Sequence, residues 1–118
     1  VRASELALDD AGLLDDATIR DGRMGIACGS SVGSTPDIRH FVEMLQTGRS
    51  GGLNANSYVR MMPHTAAANV GIFFGLTGRL IPTSSACTSG SQGIGYACEA
   101  IRAGRQTLML AGGAEELC

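Results

Sequence analysis

A chain of 118 residues with 44% apolar residues has the size of one globular domain, and no run of 18 apolar residues could span a bilayer. The formal charge is −2 and all nine basic residues are scattered arginines, so there is no basic stripe for nucleic acid and few aromatics for base stacking. Cys28, Cys87, Cys98 and Cys118 form neither a CxxC pair nor a Cys/His cluster, which argues against zinc.

The opening "VRASELALDDAGLLDD" lacks the basic start and apolar core of a signal peptide. With nothing marking secretion, the wide cysteine spacing reads as a reduced, cytoplasmic thiol set. There is no initiator Met, and the chain stops on Cys118 just after "LMLAGG". The expectation is a fragment of a larger protein, cut at both ends.

Residues 4–14 read as the end of a helix, with Leu6, Leu8, Ala11 and Leu14 as its apolar positions and Gly12 near its stop. Residues 23–28, "RMGIAC", form a short strand that runs into the glycine-rich turn "GSSVGS". Thr35 is the expected N-cap of the next helix, with Pro36 its first residue and Asp37 favouring the positive end of the dipole. Ile38, Phe41 and Leu45 share one face of that helix, and Gly48 ends it. A polar loop, "TGRSGGLNANS", follows. A second helix is expected from Pro63 through "HTAAANVGIFFGL"; being apolar nearly all round, it should be buried on most sides. Residues 80–85 form a strand, 88–103 a helix and 107–111 a strand. Alternation of strands and helices predicts a layered α/β domain around a largely parallel sheet.

Cys87 stands where a strand hands over to a helix. Helix N-termini present free N–H groups and partial positive charge, which favour a thiolate nucleophile and can hold a developing oxyanion. The alternative is a small buried hydrophobe, which describes most free cysteines. The glycines that follow bear on the choice. A glycine inside a helix costs about 0.5–1 kcal/mol relative to alanine, so Gly90, Gly93 and Gly95 need a reason. Gly90, Gly93, Ala97, Ala100 and Gly104 fall near one face, flat enough for another backbone to approach closely. Ile94, Cys98 and Ile101 form a second, bulkier face, so the helix is expected at the centre of a larger molecule, with Cys98 in the core.

The rival site is "GSSVG", residues 29–33, which matches G-x-S-x-G and makes Ser31 a candidate hydrolase nucleophile. Such a site needs a histidine, and only His40 and His64 are present. His40 falls on the polar side of its helix and His64 at a helix start, where a solvated or partly buried histidine is the plainer reading. The same turn cannot be a P-loop, because the chain has no lysine. Glu115 and Glu116 follow a Gly-Gly turn and could be paired carboxylates. Adjacent residues of an extended segment point opposite ways, so a structural hydrogen bond or salt bridge for one of them is expected instead.

The segment "SSACTSGSQGIGYACEAIRAGRQTLMLAGGAEELC", residues 84–118, resembles the β-ketoacyl-acyl carrier protein synthases, condensing enzymes of the thiolase superfamily. The "ACTSG" segment, the helix after it and the "AGGAEE" turn stand in that family's order and spacing. The resemblance extends upstream through "PHTAAANVGIFFGLTG" and "GIACGSSVG". "AGGAEELC" is closest to the type I bacterial synthases, whereas "ACTSG" is commoner in type II.

This resemblance implies a layered α/β/α thiolase-like fold, the chain being part of the N-terminal ketoacyl synthase half. Cys87 matches the cysteine that accepts an acyl chain from acyl carrier protein as a thioester. Decarboxylation of malonyl carrier protein then gives an enolate that attacks this thioester, in fatty acid biosynthesis. The thioester oxygen would rest against the Cys87 amide. Two histidines assist decarboxylation in the family, and neither His40 nor His64 matches them, so this chain alone should not complete a condensation. Val32 aligns with a residue lining the acyl pocket, and its β-branch hints at a limit on chain length. Met61, Met62 and Thr65 resemble the stretch that reaches that pocket from the other subunit of a homodimer. No metal or nucleotide cofactor is implied, since the substrates ride on the phosphopantetheine of acyl carrier protein. Nucleic acid and membrane insertion are not expected. A polyketide-type ketosynthase, a serine hydrolase built on Ser31 and a non-catalytic chain-length or scaffold subunit are the alternatives. Retention of Cys87 argues against the last.

Overall fold

The computed structural model describes residues 1–116, so Cys118 and the last residues of "AGGAEELC" lie outside the described part. At its centre is β1 (Met24–Gly29), "MGIACG". Successive strand side chains point to opposite faces, which puts Met24, Ile26 and Cys28 on one side and Gly25, Ala27 and Gly29 on the other. β2 (Leu80–Thr83) and β3 (Leu108–Gly113) flank β1, both parallel to it, in the order β2-β1-β3. Pro82 is tolerated because β2 is an edge strand of this sheet. Gly29 is in register with both Thr83 and Gly113, so all three carboxyl ends finish at one edge.

The helices are α1 (Arg2–Asp10), α2 (Thr35–Thr47), α3 (Ala55–Met61), α4 (Thr65–Phe74) and α5 (Ser89–Arg102), with a 3₁₀ turn at Ala17–Ile19. The chain leaves β1 for β2 on one side, then crosses back over β1 to β3. Right-handed crossovers running in opposite directions place their helices on opposite faces. Packing agrees with that rule. Gly71 of α4 lies against Leu80 and Ile26, whereas Gly93 of α5 lies over the carbonyls of Ala27 and Gly112. The arrangement is the expected α/β/α sandwich.

The two faces are packed differently. On the α4 side, Leu8, Ile19, Met24, Ile26, Val70 and Phe74 form one apolar core. On the α5 side the contact is nearly backbone on backbone. A Cβ at Gly113 would sit 2.9 Å from Cα of Gly90, and one at Gly29 would sit 2.7 Å from N of Gly90. Gly93, Ala97 and Ala100 of α5 are buried beneath the same face. Gly90 and Gly93 are therefore the condition for this close approach, as their spacing implied; Gly95 has open space where a Cβ would stand and nothing in the structure explains it, and Gly104, with φ +65°, belongs to the turn after α5.

Four local expectations need correction. The loop read at "TGRSGGLNANS" contains the start of α3. Asn54 Oδ1 accepts from the Ser57 N–H (3.1 Å) and Ser57 Oγ accepts from the Asn54 N–H (3.4 Å), a capping box within a polar stretch. Phe41 of α2 meets Tyr58 of α3 edge to face at 6.1 Å. Helix α4 starts at Thr65 rather than Pro63 and is not buried on most sides: Ile72 is 79% and Phe73 66% exposed. One sheet covers one side of a helix, and no described segment covers the other. The bulky side of α5 is exposed for the same reason, so Cys98 is not in the core. Helix α2 begins one residue early, with Ser34 as N-cap and Thr35 first, although Gly48 (φ +69°) closes it as expected. No helix among the described residues is long and apolar enough to cross a membrane.

Candidate active site

In open parallel sheets, ligand crevices form outside the carboxyl ends of strands whose connections leave to opposite faces. Here that edge is made by the Gly29–Ser34 turn after β1, residues 84–88 after β2, and Ala114–Glu116 after β3. The Ala114 N–H donates to the Gly29 carbonyl (2.9 Å), so β3 stays joined to β1 up to the site.

Cys87 is exposed at the entrance to α5. The preceding Ala86 holds φ +52°, the one positive φ outside glycine among the described residues. Such a backbone costs on the order of 1–3 kcal/mol and persists only where neighbours over-determine it. Hydroxyl groups do so here. Ser89 Oγ accepts from the Ser85 N–H (2.8 Å) and donates to the Ala86 carbonyl (2.6 Å). Thr88 Oγ1 donates to the Ser85 carbonyl (2.8 Å), and Thr83 Oγ1 donates to the Ser89 carbonyl (2.8 Å). The Thr88 and Ser89 N–H groups are also used, on Ser85 and Ala86 carbonyls. The Cys87 N–H, by contrast, donates to no described acceptor. A thiol and an uncommitted amide thus share one residue at a helix N-terminus, where an attacked carbonyl could be both bonded and stabilised.

Two clefts flank the Gly29–Ser34 turn. Cys87 lines one of about 380 Å³ with Gly29, Ser30, Ser31, Gly113 and Glu115. Val32 and Thr65 line the other, of about 310 Å³, with Gly33, Arg60 and Pro63. Ser30, Ala114 and Glu115 face both. The residues singled out in the sequence are thus divided: Cys87 on one side of the turn, Val32 and Thr65 on the other. Met61 and Met62 line neither cleft and contribute backbone. The Met61 carbonyl accepts from the Gly33 N–H (3.2 Å), and the Met62 carbonyl accepts from Thr65 Oγ1 (2.8 Å).

Both glutamates are structural. Glu115 Oε2 accepts from the Ser31 N–H (2.6 Å), while Oε1 accepts from the Val32 N–H (3.2 Å) and stands 3.0 Å from Ser30 Oγ. The Ser31 N–H first, then the other donors of the turn, hold its carboxyl below the usual carboxylate range. Glu116 accepts from the N–H and the Oγ1 of Thr35, capping α2 from another segment where Ser34 makes no side-chain cap. One such role was expected, and both residues have one.

The hydrolase arrangement around Ser31 is not built. The strained backbone of a nucleophile elbow is at Ala86 instead, and neither His40 nor His64 lines the cleft that contains Ser31. Cys28 faces the other side of β1, half-buried, and burial pushes its thiol up, as for a core cysteine. Sequence reasoning missed the hydroxyl lacing of Ser85, Thr88 and Ser89; four hydroxyl residues within six positions around a cysteine were its signal.

Comparison with known proteins gives this geometry a family. The profile described as "Beta-ketoacyl synthase, N-terminal domain" matches residues 1–118. The chain is 35% identical over 116 residues to 3-oxoacyl-[acyl-carrier-protein] synthase 1 of Escherichia coli (strain K12), covering 97% of this chain and 28% of that protein. A β-ketoacyl synthase crystal structure from Burkholderia phymatum STM815 superposes with TM-score 0.93 at 64% identity, covering 100% of this chain and 29% of that one. The type II PKS ketosynthase of AntDE:AntF, in complex with its acyl-carrier protein and bound to the hexaketide, gives TM-score 0.83 at 28% identity, covering 97% and 33%. The chain spans somewhat under a third of the length of these relatives. On its sequence throughout and on its fold, the chain belongs to the β-ketoacyl synthase family, matching the N-terminal domain.

Proposed function

We propose that the protein carrying this chain is a β-ketoacyl-acyl carrier protein synthase of fatty acid biosynthesis, with Cys87 as its nucleophile. The observation that carries this reading is the exposed Cys87 at the tip of α5, its N–H without an acceptor among the described residues, behind a hydroxyl-locked Ala86. Cys87 Sγ would attack the carbonyl of an acyl thioester on phosphopantetheine while its N–H stabilises the oxyanion. Collapse breaks the bond to the carrier sulfur, which leaves as the thiol. Malonyl carrier protein then loses carbon dioxide, and the resulting enolate carbon attacks the Cys87 thioester. A carbon–carbon bond forms, the bond to Cys87 Sγ breaks, and the β-ketoacyl chain stays on the carrier. No step needs a metal or nucleotide cofactor in this scheme. Acyl carrier protein is the proposed partner, and a homodimer the proposed assembly, in which Met61, Met62 and Thr65 of one subunit approach the acyl pocket of the other.

A polyketide-type ketosynthase is the second reading, favoured by the likeness to the type II PKS ketosynthase. The two share the Cys87 chemistry and differ in the chain accepted. The test is to incubate the full-length protein with labelled acyl-acyl carrier protein and map the adduct. Label on Cys87, lost in Cys87→Ala, is expected. Adduct on Ser31 with a fluorophosphonate would point to the hydrolase, and no adduct on either residue to a scaffold. A fatty acyl series against a β-polyketide thioester separates the two synthase readings.

A further inference from the structure

We propose that Glu115 is a positioning residue that holds the wall between the Cys87 cleft and the Val32 cleft and thereby sets which acyl chain lengths Cys87 accepts. This rests on the synthase reading above. The wall is the turn Ser30–Val32, and three segments meet on it. From β3, Glu115 takes the N–H groups of both Ser31 and Val32. Ser30 Oγ stands 2.7 Å from the Val32 carbonyl and 3.0 Å from Glu115 Oε1, so its one proton serves both. Val32 is thus held at its N–H and at its carbonyl, which fixes the direction of its side chain. Beyond it, the Gly33 and Ser34 N–H groups donate to the Met61 and Arg60 carbonyls, which ties the same turn to α3.

No other described side chain takes the Ser31 and Val32 amides, so the turn depends on this one carboxylate from the Cys87 side. Both amides donate to one anion; the Ser31 bond, at 2.6 Å, has the short length of a charge-assisted bond, and the Val32 bond, at 3.2 Å, is the longer of the two. Glu115 itself borders both clefts, yet its two oxygens are occupied by the turn, so it acts through Val32 rather than on an acyl group. Ser30 is buried, which leaves its hydroxyl to the Val32 carbonyl and Glu115. Replacing the carboxylate by an amide turns one acceptor into a donor facing an N–H. The Ser31 or the Val32 amide is then left without its partner, and the turn shifts toward whichever cleft gives it room.

The experiment is single-turnover acylation of Cys87 in the full-length protein by acyl carrier protein thioesters from butyryl to palmitoyl, read by intact mass. In Glu115→Gln the ratio of long-chain to short-chain rate constants is expected to change by about tenfold, the equivalent of one lost charge-assisted bond. Iodoacetamide alkylation of Cys87 serves as the readout of the helix tip itself. A loss that is uniform across chain lengths, with alkylation slowed in parallel, would mean a merely structural role and overturn the inference. Ser30→Ala removes one contact of the same clamp and keeps the carboxylate. It is expected to shift the profile in the same direction by less, which keeps the test decisive if Glu115→Gln folds poorly. Wild-type acylation with unchanged profiles in both variants overturns this inference alone. No acylation of Cys87 in the wild type removes the synthase reading and this inference with it.

Discussion

At residue 29 a methyl group has no room. Its position is occupied by the backbone of Ser89 and Gly90, the first residues of α5, and neither is a side-chain end that could swing aside. Overpacking of this kind costs typically about 1–3 kcal/mol, and here the strain falls on the turn that presents Cys87. Gly29→Ala is therefore expected to lower the urea midpoint and slow alkylation of Cys87 together. A lowered midpoint with unchanged alkylation would mean that the sheet gives way instead of the helix tip. Glu115 makes a second prediction at this scale. Its carboxyl titrates below the usual range when folded, so its stabilising effect is complete above the unfolded pKa and is lost as pH falls through the folded one. The wild-type urea midpoint should fall on acidification through and below the ordinary glutamate range, and Glu115→Gln should flatten that slope. Parallel slopes in the two proteins would remove the clamp from the account. Val32→Gly, which deletes the side chain the clamp holds, should shift acylation toward longer chains.

Among the elements, α5 is fixed most tightly at its first turn. Ser89 is buried, and its hydroxyl is both acceptor for the Ser85 N–H and donor to the Ala86 carbonyl. Ser89→Ala leaves the Ser85 N–H without a partner and takes from the Ala86 carbonyl one of its two donors, a loss of about 1–3 kcal/mol that loosens the left-handed conformation of Ala86. Thermal denaturation and Cys87 acylation should both suffer; full acylation in a destabilised variant would show that Ala86 needs no lock. Much of this element was legible in the sequence, since Gly90, Gly93, Ala97 and Ala100 repeat at helical spacing and a close backbone contact follows from their size. The strands were legible too, apart from one or two residues at their ends. Helix α3 was not, because its cap is Asn54 with Ser57, and a seven-residue polar helix has no apolar period to announce it. The clamp was hidden for a different reason. Glu115 and Val32 are 83 positions apart, and only the parallel register of β1 and β3 brings them together.

The molecule as a whole is larger in outline than its length requires. A self-contained domain of this length has a radius of gyration near 13.5 Å by the usual scaling, roughly 2.2·N^0.38. The observed value is 16.1 Å, with extents of 50 × 26 × 22 Å. The accessible surface is 7296 Å² where a folded monomer of this mass has about 6,000 Å². The surplus, about 1,300 Å², is more than the roughly 800 Å² that one partner buries in a standard protein–protein contact. It is not spread evenly. Ile72 and Phe73 stand out from α4 on one side of the sheet, Ile94 and Ile101 from α5 on the other, so each outer layer shows an uncovered apolar side. A sandwich that buries its helices on the inside only has few apolar contacts to offset its chain entropy. The 118-residue polypeptide produced alone is therefore expected to bind a hydrophobic dye and to elute as an aggregate. Radical footprinting should modify Phe73 heavily in that polypeptide and weakly in the full-length protein. A monodisperse, dye-free monomer with a cooperative melt, or equal modification of Phe73 in both, would mean that these faces belong at the surface.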